Sequence, residues 1–184
     1  ASLDLDGSDD YLATGTTVPS LANVAEMSAC AWIKYGPSSV SADGVIVGQY
    51  SGSPPGWLLW VDNEAAVSGR TDTVAFSINP AGGTSGRVEG TTGLVTSGAW
   101  DHYCGVFKGS SFIRLYKNGV LNTENTSSIV STTDVPNTVL QMGRWTNFDN
   151  SYFDGQIDDV RIYNYALTPH QVKELYSGGS VVFK

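Results

Sequence analysis

The chain has 184 residues, 41% of them hydrophobic and 15% charged, and a net charge of −8. That length and apolar content support one domain with a sizeable core and exclude a disordered tail. The acidic balance, without clustered Lys and Arg, argues against nucleic-acid binding, and no apolar run is long enough to insert in a bilayer. The 21 glycines, with abundant Ser and Thr, suit a β-rich protein that is secreted or displayed on a particle surface. No signal peptide is visible. Ala1-Ser2-Leu3-Asp4 already reads as folded sequence, as expected of a mature chain or an excised module.

Segments of strand character follow one another between Gly, Ser, Asn and Pro clusters. They are Ser2–Leu5, Met27–Lys34, Gly44–Gln49, Trp57–Val61, Thr73–Ile78, Trp100–Phe107, Ser111–Lys117, Thr138–Gly143 and Gly155–Tyr163. Residues 36–42, 51–56 and 80–86 read as loops. Asn118-Gly119, between two β-rich runs, predicts a hairpin, because both turn residues tolerate positive φ. Near the end, Thr168 is placed to cap a short helix, with Pro169 at its first position and Gln171 as the capping-box partner. Leu167 and Val172 are spaced as a hydrophobic staple, and Gly178 as the stop. Many strands and one helix predict an all-β sandwich over residues 1–177, with 178–184 as a tail or linker.

Two cysteines sit mid-strand, Cys30 and Cys104. They are either two buried thiols acting as small hydrophobes or one disulfide, and spacing alone does not choose. Asn125-Thr126-Ser127 matches a glycosylation acceptor.

Several segments, taken in order, resemble the laminin-G-like and pentraxin members of the concanavalin-A-like superfamily. They are the opening Leu3-Asp4-Leu5-Asp6-Gly7-Ser8-Asp9-Asp10-Tyr11-Leu12, then Cys30-Ala31-Trp32-Ile33-Lys34, Trp100-Asp101-His102-Tyr103-Cys104 and Leu115-Tyr116-Lys117-Asn118-Gly119. The series closes with residues 155–164 and the corner Ala166-Leu167-Thr168-Pro169. The resemblance covers nearly the whole chain. It implies a two-sheet antiparallel jelly roll, a Cys30–Cys104 disulfide and therefore an oxidising compartment. It also implies a structural calcium held by Asp6 and Asp158, with Gly7 or Asp10 offering backbone oxygen; calcium takes mixed carboxylate and carbonyl oxygens. Without the ion, Asp6 would organise an Asx-type turn and Asp158 or Asp159 would pair with Arg161. The pentraxin ligand-calcium loop is not reproduced, since residues 143–150 carry Arg144 and Trp145 among only a few acceptors.

A glycan-binding surface is expected from flat rings and polar groups: Trp57, Trp60 and Trp145 with Arg144, Asn147, Asp149 and Asn150, near Tyr50, Tyr152 and Phe148. Trp57 and Trp60 differ in parity, so one faces the core, while Trp145 lies in a polar loop. Trp32 and Trp100, in apolar strand motifs, are assigned to the core. Catalysis is not expected. The adjacent carboxylates Asp158 and Asp159 point to opposite faces of a regular strand, Asp62 and Glu64 lie in a turn, and no nucleophile elbow or zinc-ligand spacing occurs. The resulting expectation is a non-catalytic module that binds a glycan, or a cell-surface or virion protein; the rival is a structural or decoration module, and a polysaccharide-active glycosidase is a third, lesser alternative.

Overall fold

The computed structural model describes residues 2–18, 21–36, 43–50, 56–62, 72–78, 86–133, 139–145 and 152–178. The described strands are β1 (Leu3–Asp6), β2 (Leu12–Thr17), β3 (Glu26–Tyr35), β4 (Gly44–Gln49), β5 (Trp57–Asp62), β6 (Thr73–Ile78), β7 (Gly86–Glu89), β8 (Trp100–Lys108), β9 (Phe112–Lys117), β10 (Val120–Asn125), β11 (Val139–Met142) and β12 (Asp154–Tyr163). Among the described residues one helix, α1 (Pro169–Tyr176), follows β12. Two six-stranded sheets result, ordered β1-β12-β3-β8-β9-β10 and β2-β11-β4-β5-β6-β7. The chain is a jelly-roll β-sandwich.

Alternation along the strands decides what lies between the sheets. Met27, Ala29, Ala31 and Ile33 of β3 face Leu59, Phe76 and Ile78 across a single core that also holds Trp57, Tyr103, Phe107 and Leu115. Two strands were not anticipated. β2 (Leu12-Ala13-Thr14-Gly15-Thr16-Thr17) is too polar to announce itself, and β7 begins at Gly86, inside a stretch read as a loop. Both are edge strands, where one unpaired side relaxes the demand for apolar residues.

The local signals at residues 118–119 and 168–178 are realised as expected. Asn118 and Gly119 adopt φ of 50° and 76° in the β9–β10 hairpin. Thr168 caps α1, accepting from the Gln171 N–H, while the Gln171 side chain accepts from the Thr168 N–H at 2.9 Å. Gly178 follows at φ 68°. The tail from 179 onward lies outside the described residues.

The helix packs on the outer face of the first sheet. There Leu167, Val172 and Leu175 cover a second apolar cluster containing Val106, Tyr116, Cys30 and Cys104. Cys30 and Cys104 are direct cross-strand partners on β3 and β8, and they form a disulfide with Cα atoms 4.0 Å apart. The bridge therefore lies outside the inter-sheet core, under α1.

Candidate functional site

β1 ends at Asp6, and the chain turns through Gly7 at φ 74°, which spares it the strain a side chain would meet there. A Cβ on Gly7 would also lie 2.8 Å from the Asp154 Cβ. Asp6 Oδ1 accepts from the Ser8 N–H at 2.8 Å, the Asx turn foreseen, and Asp10 Oδ2 accepts from the Asp6 N–H at 3.3 Å. One carboxylate oxygen from each of Asp6, Asp9 and Asp10 lies within 4.8 Å of the others, all three residues being exposed.

The end of β11 meets this turn. A Cβ on Gly143 would lie 3.2 Å from the Asp10 carbonyl oxygen. Arg144 follows and bridges antiparallel to Tyr152. Its guanidinium sits 4.8 Å from the ring centre of Tyr11, which is 46% exposed, and 5.8 Å from that of Tyr152. One rim thus joins three carboxylates, a guanidinium and two phenol rings. From sequence, Asp6, Gly7 and Asp10 are expected in one site and Arg144 in another, while Asp9 and Tyr11 are assigned to neither. The density of aspartates in Asp6-Gly7-Ser8-Asp9-Asp10 was the available signal.

Asp158 does not join them. In the β1–β12 ladder Asp6 lies opposite Asp154, so Asp158 is four positions further along, about 13 Å at strand rise. The expected Asp6–Asp158 tie is replaced by proximity of the Asp6 turn to Asp154.

The tryptophans also depart from expectation. Trp57 is fully buried between the sheets and offers no ligand face. Trp60 points to the outer face of the second sheet but is 3% exposed, beneath the Arg87 guanidinium at 4.7 Å. Trp145 is half-buried and packs edge-on against Tyr50 and Trp60, at 5.5 and 6.1 Å. It caps an apolar patch of Val45, Leu58 and Ala75 rather than standing free in a loop. Asn147, Phe148, Asp149, Asn150 and Glu64 lie outside the described residues. Asp62 is buried and ion-paired with Arg87, which also pairs with Glu89. The Asn125 amide nitrogen donates to the Arg87 carbonyl, so the glycosylation acceptor atom is already engaged.

Trp32 and Trp100, assigned to the core from sequence, instead lie on the outer face of the first sheet. Trp32 is half-buried and Trp100 is 39% exposed. Beside them β12 is irregular: its register against β3 shifts between Asp158 and Arg161, and Asp159 takes φ 46°. This bulge overturns the expectation that Asp158 and Asp159 face apart, for both line one depression with Trp32 and Trp100. The signal was in the sequence. Ile157, Val160 and Ile162 all pack toward the core, and Ile157 and Val160 share a face only if an extra residue intervenes. Asp159 is that residue, and it pairs with Arg161 at 2.8 Å.

The fold and the loop-built rim define a β-sandwich of the lectin-like class. A family model described as the concanavalin A-like lectin/glucanases superfamily, laminin-G type, matches residues 6–173, and the chain belongs to that family. No curated protein matches the sequence. Among solved structures, a heptameric SAP-like pentraxin from Limulus polyphemus is similar at TM-score 0.71 and 16% identity, covering 95% of this chain and 81% of the pentraxin. Domain 4 of an extracellular arabinanase from Geobacillus stearothermophilus, solved with arabinotriose, is similar at TM-score 0.66 and 22% identity, covering 95% and 76%. The binding domain of botulinum neurotoxin serotype D is similar at 0.70 and 15%, with 95% of this chain covering 41% of that one. These likenesses show the fold, and the neighbours are chiefly binding domains.

Proposed function

We propose that this domain is a non-catalytic, extracellular recognition module that binds a glycan at the rim formed by the Asp6–Tyr11 turn with the side chains of Arg144 and Tyr152. The observation that carries this reading is the convergence of Asp6, Asp9 and Asp10 with Tyr11, Arg144 and Tyr152 at one end of the sandwich. Exposed rings offer flat apolar faces to a sugar, and the charged groups fix its hydroxyls. The donor set also fits calcium, which prefers several hard oxygens; the aspartates, with the nearby Asp10 carbonyl, would hold it and so brace the turn. Three carboxylates this close repel unless something neutralises them. The disulfide supports an oxidising, extracellular setting, and no helix among the described residues is long and apolar enough to cross a membrane. Catalysis is disfavoured because Asp158 and Asp159 project from one bulge, whereas glycosidase carboxylates flank the scissile bond.

The test is a glycan array with and without calcium, followed by titration of the best hit into Arg144→Ala and Tyr11→Ala. Calcium should raise the melting temperature and EDTA lower it, and each variant should weaken binding at least about tenfold. No binding on the array, or full affinity in both variants, rejects the glycan reading; a melting temperature indifferent to calcium rejects the ion.

A further inference from the structure

The outer face of the first sheet carries a depression of about 370 Å³ bounded by Trp32, Trp100, Asp158 and Asp159, remote from the rim along β12. Four features set it apart from ordinary surface. Trp32 is held in place, stacked on Tyr176 of α1 at 5.5 Å and 27° and lying 5.5 Å from His102. Trp100, exposed at 39%, has no ring contact or side-chain hydrogen bond among the described residues. The bulge turns two consecutive carboxylates to the same side as the indoles, holding a non-glycine residue at positive φ to do so. A bulge re-aims side chains in this way, and here it gathers two acceptors beside the two indoles. Finally, the carboxylates are only partly used. Asp158 Oδ1 accepts from the Asp159 N–H, Asp159 Oδ1 accepts from Arg161 Nε, and Asp158 Oδ2 has no partner among the described residues.

We propose that Trp32, Trp100, Asp158 and Asp159 form a second saccharide-binding site on this face, in which a neutral sugar ring lies on the indoles and donates hydroxyl hydrogens to the carboxylates. Sugar rings present axial C–H groups to aromatic faces and hydroxyls at their edges, which matches an open platform flanked by acceptors. The Asp159–Arg161 pair adds a donor beside those acceptors, as groups that both give and accept hydrogen bonds require. A quaternary ammonium fits less well. It needs rings on several sides, whereas here the other boundary is carboxylate, one already neutralised by Arg161.

The site is tested by following the indole N–H signals of the five tryptophans in ¹⁵N-labelled protein, assigned with single Trp→Phe variants. The probes are cellotriose, xylotriose, arabinotriose and tri-N-acetylchitotriose up to roughly 10 mM, enough to fill a millimolar site. At least one sugar is expected to shift Trp32 and Trp100. Trp100→Ala, an exposed change that leaves the core intact, should abolish the shift at Trp32, and Asp158→Asn should weaken it about tenfold or more. Arg144→Ala should leave it unchanged. Three results overturn the proposal: neither indole responds to any probe; affinity is unaltered in both Trp100→Ala and Asp158→Asn; or tetramethylammonium moves these signals while the sugars do not. Shifts confined to Trp145 reject this site, whereas shifts confined to Trp32 and Trp100 that persist in Arg144→Ala support it as separate from the rim.

Discussion

His102 pairs with Trp32 across β3 and β8 and is 3% exposed, with no hydrogen-bond partner for Nδ1 among the described residues. Burial pulls its pKa from 6.5 to about 4; the nearby Asp159 charge pushes upward without compensating, and Arg161 pushes further down. Between those values the unfolded chain binds a proton that the folded chain refuses. Stability therefore stands in full above about pH 6.5 and is lost as pH falls toward 4, by at most about 3 kcal/mol. A lower melting temperature at pH 4.5 than at pH 7.5 is expected, with the gap reduced in His102→Phe. An equal gap in that variant would assign acid sensitivity to other groups. Exposure at single residues was the poorest part of the sequence reading, for a physical reason. On β3 the outward residue Cys30 is covered by α1 and is as buried as the inward ones, so alternation no longer separates the faces and Trp32 passes for core.

The elements were readable wherever their signals are local. A capping box, a staple and an Asn-Gly turn act within a few residues, so α1 and the β9–β10 hairpin could be placed without knowing the fold. The bulge in β12 is a relation between strands and needs the partner register. With Ile157, Val160 and Ile162 inward and Asp158 and Arg161 outward, Asp159 is supernumerary to the ladder. Deleting Asp159 is therefore expected to leave a regular strand in the same register, with a near-native melting temperature by circular dichroism. Deleting Val160 instead forces Asp159 into the core, at a cost of several kcal/mol for an unpaired buried carboxylate. If both deletions unfold the protein alike, Asp159 is part of the ladder after all.

At the scale of the molecule, the two-sheet antiparallel sandwich and its closing corner were foreseeable from ordered motifs, because such a fold imposes them on the entire chain, whereas the edge strands β2 and β7 were not. The rim was not, since it joins residues 6–11 to Arg144 and Tyr152 through the β1–β12 and β2–β11 ladders, neither of which a linear reading supplies. The covalent tie is long-range as well. It spans 74 positions and is worth roughly 4 kcal/mol in the chain-entropy model. Both sulfurs' residues are fully buried beneath Leu167, Val172 and Leu175, so a reductant in solution reaches them only after the closing segment lifts away. The Cys30–Cys104 bond is thereby a built-in clock for that lifting. Thr168→Ala, which removes the cap at a cost of about 1 kcal/mol, should speed reduction by dilute dithiothreitol roughly five-fold, read by thiol release under native conditions. An unchanged rate would mean that the sulfurs are reached by a route that does not pass under the helix.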